Sequence, residues 1–213
     1  MKQFNNITTL IFDFGGVLIN LDLNRCIQKF KDLGVNNLEN NLNNYGQKGI
    51  FLEFEKGLID IPTFRDEIRK LAGKRLKDNE IDEAWCAFLC DIPDYKIELL
   101  LQLKKKFRLL LLSNTNPLHI EISARDEFAR FGQTMQSLFD KCYFSYEMKM
   151  VKPDAEIFEA LLADAGLTAE ECLFLDDGEK NILQAEKMGI QTYHVDVNED
   201  LSFLLNEKIW LNA

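Results

Sequence analysis

The chain has 213 residues, 46% of them apolar and 28% charged. This excludes a disordered or collagen-like polypeptide and, at about 100–200 residues per domain, calls for one substantial core with room for an insertion. Its 25 basic and 35 acidic residues give a formal charge of −10, a balance that repels nucleic acid and anionic membranes but admits a small anionic ligand where a local cation inverts the field in a cleft.

Residues 8–13 (TTLIFD) are an apolar run closed by turn residues and predict the first buried strand. The interval 20–94 has no convincing strand. It has helical periodicity at 26–30, 51–54, 64–71 and 81–89, and six asparagines among residues 36–44 predict a solvated turn or loop there. Residues 95–106 read as an amphipathic helix and 107–113 (FRLLLLS) as the second strand. A weaker strand is expected at 142–145. A helix over 153–165 carries Ile157, Leu161, Leu162 and Ala165 on one face, and residues 172–176 (CLFLD) give the third strong strand. A helix over 181–188 and a weaker strand at 191–195 follow. Gly166 and Gly189 stand where a helix end needs a residue with positive φ. Strands alternating with helices predict an α/β fold, a doubly wound, Rossmann-like parallel sheet covered on both faces, with an inserted all-helical unit. The expected division is 1–19 and 95–213 for the α/β core and 20–94 for the insertion.

No apolar stretch approaches the roughly 18 residues of a membrane span; the most conspicuous covers only residues 109–112. Asp13 interrupts the first apolar stretch, which makes a poor signal peptide. Five cysteines (Cys26, Cys86, Cys90, Cys142 and Cys172) are an odd number without a CxxC pair. They predict reduced, mostly buried thiols in a cytoplasmic protein.

In open parallel sheets a ligand lies beyond the carboxyl ends of the strands. Each strong strand ends there in polar residues: Asp13-Phe14-Gly15-Gly16, Ser113-Asn114-Thr115-Asn116 and Asp176-Asp177-Gly178. A fourth cluster, Lys152-Pro153-Asp154, opens a helix. Carboxylates from two strand ends make a hard oxygen site suited to Mg²⁺, while a serine hydroxyl and a lysine ammonium suit phosphate oxygens. Pro117 and Pro153 both read as first-turn prolines, placing helix N-termini toward an anion. One carboxylate could attack phosphorus while cations and N–H donors stabilise the spreading charge. Each cluster alone is commonly just a turn; their joint placement in this chain order is what carries weight.

The combination resembles the haloacid dehalogenase (HAD) superfamily over essentially the whole chain, with the insertion similar to its C1-type cap. The stretches FDFGGVL, LLSNTNPLH, KPDAEIF and FLDDGEKN are most similar to the α-D-glucose-1-phosphate phosphatase branch, with its DxGNV, SNTNxLH, KPE and DDxxxN motifs. The resemblance implies a Mg²⁺-dependent phosphatase acting on a small phosphorylated metabolite, a sugar phosphate such as glucose 1-phosphate, in a monomer or weak homodimer without nucleic-acid or membrane partners. It implies Asp13 as nucleophile and Mg²⁺ ligand, the Gly15 carbonyl and Asp177 as further ligands, and Asp176 as ligand or its partner. Ser113 and the Asn114 N–H would hold the phosphoryl group. Lys152, favoured over Lys149 by the proline that follows it, would pair with Asp13 and phosphate. His119 is either a substrate contact or a packed histidine. Asp22, Asn24 and Arg25 also resemble that branch, though for Arg25 a solvated helix face is the simpler reading.

One position departs from the superfamily. Most of its phosphatases have a second Asp two residues after the nucleophile, as acid and base; here Gly15 has no side chain. An anomeric phosphate tolerates that loss because its sugar oxygen leaves readily, and His119 or a residue of the cap could substitute. Gly15 is also the one support for a phospho-ligand binding protein that has lost turnover. A 2-haloacid dehalogenase is disfavoured because it needs no paired carboxylates, and a phosphomutase because it needs proton shuttling to a sugar hydroxyl.

Overall fold

The computed structural model describes residues 3–36, 38, 41–43, 46–197 and 199–212. In chain order the elements are β1 (Phe4–Asn5), β2 (Thr9–Phe12), α1 (Leu23–Asp32), α2 (Ile50–Glu55), α3 (Ile61–Ala72), α4 (Asp78–Cys86), α5 (Asp94–Leu103), β3 (Arg108–Ser113), α6 (Pro117–Ile122), α7 (Met135–Leu138), β4 (Lys141–Phe144), α8 (Ser145–Met148), α9 (Ala155–Ala165), β5 (Cys172–Asp176), α10 (Glu179–Lys187), β6 (Gln191–His194) and β7 (Trp210–Leu211). The five expected strands form one all-parallel sheet in the order β4-β3-β2-β5-β6. The small β1–β7 pair, joining the chain ends, has no counterpart in the sequence reading, because two-residue strands leave no periodicity to detect.

The central strands are buried on both faces, and the period-two alternation of their side chains divides the core. Leu10, Phe12, Leu109, Leu111, Leu173 and Leu175 pack toward α5 and the C-terminal segment. Ile11, Leu110, Leu112 and Phe174 pack toward α9 and α10. This two-sided burial explains why these strands read as continuous apolar runs. The helices of the insertion enclose an apolar cluster of their own around Phe30, Phe51, Phe54, Phe64 and Trp85. No described helix is long and apolar enough to cross a membrane. All five cysteines are free thiols, with Cys90 and Cys142 only partly buried.

Two local expectations need correction. Pro153 is not in the first turn of a helix: it follows a cis peptide bond in a turn, and α9 begins at Ala155 with Asp154 as its N-cap. Pro117, by contrast, opens α6, capped by the Asn116 side chain accepting from the His119 N–H. The asparagine-rich stretch is not simply solvated either. Residues 37, 39, 40 and 44 lie outside the described ones, but Leu38 and Leu42 are buried in the insertion's apolar cluster, so the loop is anchored by the two leucines that interrupt its polar run.

Candidate active site

Because β3, β2 and β5 are parallel neighbours, their carboxyl ends open side by side and bring Ser113, Asp13 and Asp176-Asp177 to one rim. Lys152 reaches the same place from the turn after α8. Its ammonium is almost wholly buried, at 3% exposure, and makes three contacts: Asp13 Oδ1 at 2.7 Å, Asp176 Oδ2 at 2.7 Å and the Leu112 carbonyl at 2.9 Å. These match the three donors of a lysine. Asn114 fixes the turn that carries it, its amide donating to the Lys152 carbonyl at 2.9 Å and accepting from the Lys152 N–H at 2.8 Å. Lys149, the rival lysine, turns away and donates to the Gly57 carbonyl in the insertion.

Asp13 Oδ1 also accepts the Phe14 N–H at 2.7 Å. Asp176 is fully buried, and both its oxygens are engaged: Oδ2 by Lys152, Oδ1 by the Gly178 N–H at 2.7 Å and the Asn181 amide at 2.9 Å. Asp176 therefore anchors Lys152, whereas Asp177 is half-buried and lines the cleft with Asp13, Gly15, Ser113, Asn114 and Lys152. Gly16 lets the two strand-end loops meet. Its φ is +75°, and a Cβ there would lie 2.1 Å from Asp177 Oδ2, so only glycine leaves room for that carboxylate.

One carboxylate oxygen from each of Asp13, Asp176 and Asp177 lies within 4.8 Å of the other two, the one such group among the described residues. Burial pushes the Asp13 carboxyl up to about 8, with Lys152 opposing and Asp176 and Asp177 adding to the shift. Burial and then Asp176 raise Asp177 to about 6. Burial also works against the Lys152 ammonium, but Asp13 and Asp176 overcome it and hold its pKa above the ordinary lysine value. Three clustered carboxylates against one cation leave excess negative charge, a donor set that suits a hard divalent ion.

His119 is packed as well as pocket-lining. Its ring stacks on Trp85 with centroids 4.5 Å apart, Nε2 lies 3.2 Å from the Trp85 carbonyl, and exposure is 4%. The carbonyl can only accept, so Nε2 carries the hydrogen. Burial lowers the ring's pKa to about 4 from 6.5, opposed by the Trp85 hydrogen bond, so at neutral pH the imidazole is uncharged. The depressed value makes a prediction. The unfolded chain takes up a proton as pH falls through 6.5 while the folded chain resists until about 4, so stability is lost on acidification over that window. Relative to His119→Gln, which has no titrating ring, the wild type should lose roughly 3 kcal/mol between pH 7 and pH 4, read from urea denaturation at each pH. Parallel curves for the two proteins would show that the ring is not held neutral.

Arg25 is exposed on its helix, in keeping with the solvated-face reading, and it does not line the cleft. Nε donates to the Ala87 carbonyl at 2.8 Å and an Nη to that of Leu89, tying α1 to the segment after α4, while Asp22 caps α1. Three polar side chains of the lining carry no role in the sequence reading: Gln47, Glu55 and Asn181. Asn181 closes the FLDDGEKN stretch. Glu55 did leave a signal. It stands four residues after the buried Phe51 in α2, so helical spacing puts an acid on the apolar face. It is 5% exposed, and burial first, then the charge of Asp13, raise its pKa to about 8 against the pull of Lys152.

Comparison with known proteins gives concordant results. Residues 7–189 match the family described as haloacid dehalogenase-like hydrolase. The chain is 34% identical over 204 residues to the D-ribitol-5-phosphate phosphatase of Bacteroides thetaiotaomicron, covering 94% of this chain and 99% of that protein. A crystal structure of a HAD family enzyme from Bacteroides thetaiotaomicron in complex with magnesium and inorganic phosphate superposes with a TM-score of 0.89 at 46% identity, covering 94% of this chain and all of that one. A HAD-like family hydrolase from Porphyromonas gingivalis gives a TM-score of 0.87 at 38% identity, covering 95% of this chain and 99% of the other.

Proposed function

Because the chain belongs to the haloacid dehalogenase-like hydrolases, we propose that its strand-end cluster hydrolyses the phosphate monoester of a small sugar or polyol with the help of Mg²⁺. One observation carries the reading. Asp13 sits at the end of the central strand with an ammonium bonded to one carboxylate oxygen, while Ser113 and Asp177 share its cleft. The magnesium and inorganic phosphate bound by the similar Bacteroides enzyme and the substrate that names its phosphatase relative support it.

In this reading Asp13 and Asp177 hold the ion, with the Gly15 backbone beside them and Asp176 as the buried anchor of Lys152. When bound, Mg²⁺ supplies positive charge against the nucleophile and the phosphoryl oxygens. Asp13 attacks phosphorus, the ester P–O bond breaks, and the alcohol leaves. Water then attacks the aspartyl phosphate and the P–O bond to Asp13 breaks, giving inorganic phosphate and the free carboxylate. Ser113, Lys152 and the Asn114 backbone hold the transferring group throughout. Residues 20–94 act as the cap, with Gln47 and Phe88 closing the cleft from above and selecting the alcohol. Nothing in the comparisons singles out glucose 1-phosphate, and the polyol ester named for the Bacteroides phosphatase makes a primary phosphate the stronger candidate.

A substrate panel that includes ribitol 5-phosphate, glucose 1-phosphate and p-nitrophenyl phosphate tests this, assayed with Mg²⁺ and again after chelation. Phosphate release that disappears with chelation and returns with added Mg²⁺ is expected. No release from any ester would overturn the reading, and metal-independent halide release from 2-chloropropionate would replace it with a dehalogenase.

A further inference from the structure

A primary alkoxide is a poor leaving group and needs a proton as it departs, yet Gly15 supplies none. The cleft offers few alternatives. Asp13 and Lys152 are bonded to each other, Asp177 belongs to the carboxylate cluster, and the one N–H of His119 is held at the Trp85 carbonyl.

Glu55 remains. Among the described residues its carboxyl group has no hydrogen-bond or ion-pair partner, although it is buried and lines the same cleft as Asp13 and Ser113. Its backbone, by contrast, is held tightly against the α/β core. Ser145 Oγ donates to the Glu55 carbonyl at 2.6 Å and accepts from the Thr115 N–H at 2.9 Å, linking the end of α2 to the loop that follows Ser113. Two residues on, the Gly57 carbonyl accepts from Lys149. Gly57 itself, with φ +60°, lies so close to α8 that a Cβ would fall 2.1 Å from the Tyr146 carbonyl. A segment pinned at three points, presenting one unpartnered carboxyl group into the cleft, has the construction of a positioned proton donor and acceptor.

We propose that Glu55, carried by the helical insertion, is the general acid and base that takes the place left vacant at Gly15. This rests on the phosphatase reading above. In the first half-reaction Asp13 bonds to phosphorus, the ester P–O bond breaks with its electron pair on the leaving oxygen, and that oxygen takes the Glu55 proton. In the second, the Glu55 carboxylate accepts a proton from water as the water oxygen bonds to phosphorus and the P–O bond to Asp13 breaks. Glu55 ends protonated, ready for another turnover.

Glu55→Gln keeps the shape and removes the transferable proton. With ribitol 5-phosphate, or the best alkyl ester of the panel, kcat should fall about 10²–10⁴-fold. p-Nitrophenolate leaves without a proton, so with p-nitrophenyl phosphate the variant should release a burst of one equivalent per active site and then turn over slowly. Adding Gly15→Asp to Glu55→Gln should restore at least about tenfold on the alkyl ester; the new Cβ meets only the Leu21 side chain, at 3.2 Å. Equal losses on both esters without a burst, or an undiminished alkyl-ester rate, would overturn the proposal. If Glu55→Gln does not fold, Glu55→Asp is read for the same split between esters. A wild type that releases no phosphate from either ester fails the phosphatase reading instead.

Discussion

Asp13→Asn is expected to abolish turnover, lowering kcat by at least about 10⁴-fold, while the protein stays folded. An amide oxygen is a weak nucleophile and cannot form the aspartyl phosphate. The substitution should cost little structurally. Asn Oδ1 can still accept the Phe14 N–H, which is 2.7 Å from the present carboxylate, and Lys152 keeps its pairing with Asp176 at 2.7 Å. An amide has no charge to bury beside Asp176 and Asp177, so it escapes the burial and repulsion that raise the Asp13 pKa to about 8. The thermal midpoint at neutral pH should therefore equal or exceed that of the wild type. Phosphate release at saturating ester, measured beside thermal unfolding, checks both halves. Residual turnover above about one per cent would dismiss Asp13 as the attacking group.

Lys152→Met should behave oppositely, losing stability as well as activity. The ammonium is the cation shared by Asp13 and by Asp176, which is completely buried. Removing one partner of a buried ionic cluster costs about 3–5 kcal/mol because the charges left behind remain out of water. Activity should fall at least about 10²-fold through loss of a positive group aimed at the phosphoryl oxygens. Lys152→Arg is not expected to rescue it. The three acceptors surround a single nitrogen at 2.7, 2.7 and 2.9 Å, which a planar guanidinium fork does not match. Asp176→Asn placed in the Lys152→Met background should recover part of the stability, since it removes one of the stranded charges. Urea denaturation of the single and double variants decides this, and an undiminished midpoint for Lys152→Met would show that Lys152 is not the counter-ion on which the cluster depends.

The contrast between these variants clarifies the division of labour among the carboxylates. In the sequence reading Asp177 is a ligand, while Asp176 is left open as either a ligand or the partner of one. In the folded chain Asp176 is surrounded by donors from Lys152, Gly178 and Asn181, whereas Asp177 faces the cleft. Which of two adjacent residues points inward depends on the pleat of β5 and on the packing of α10 against it, and neither is a property of the dipeptide.

The sequence by itself determined the parts built from local signals. Apolar runs without alternation marked β2, β3 and β5 as strands covered on both faces, and turn residues at their carboxyl ends marked where a ligand would lie. Asp13, Ser113, Asn114, Asp176 and Asp177 could be named that way, and Lys152 from the Lys-Pro-Asp cluster that follows. Only the tertiary structure decided which groups act on one another, because those relations cross long stretches of chain. Lys152, the lysine the sequence favoured, joins Asp13 to the buried Asp176, and the turn after α8 sends the Lys149 ammonium to Gly57. His119 is held by Trp85, contributed by a helix 34 residues away in sequence. Glu55 was hidden for the same reason: in sequence it is one acid in a short amphipathic helix, and its significance comes from the docking of that helix on the loop after Ser113, where burial removes it from bulk water and leaves the cleft as its remaining outlet.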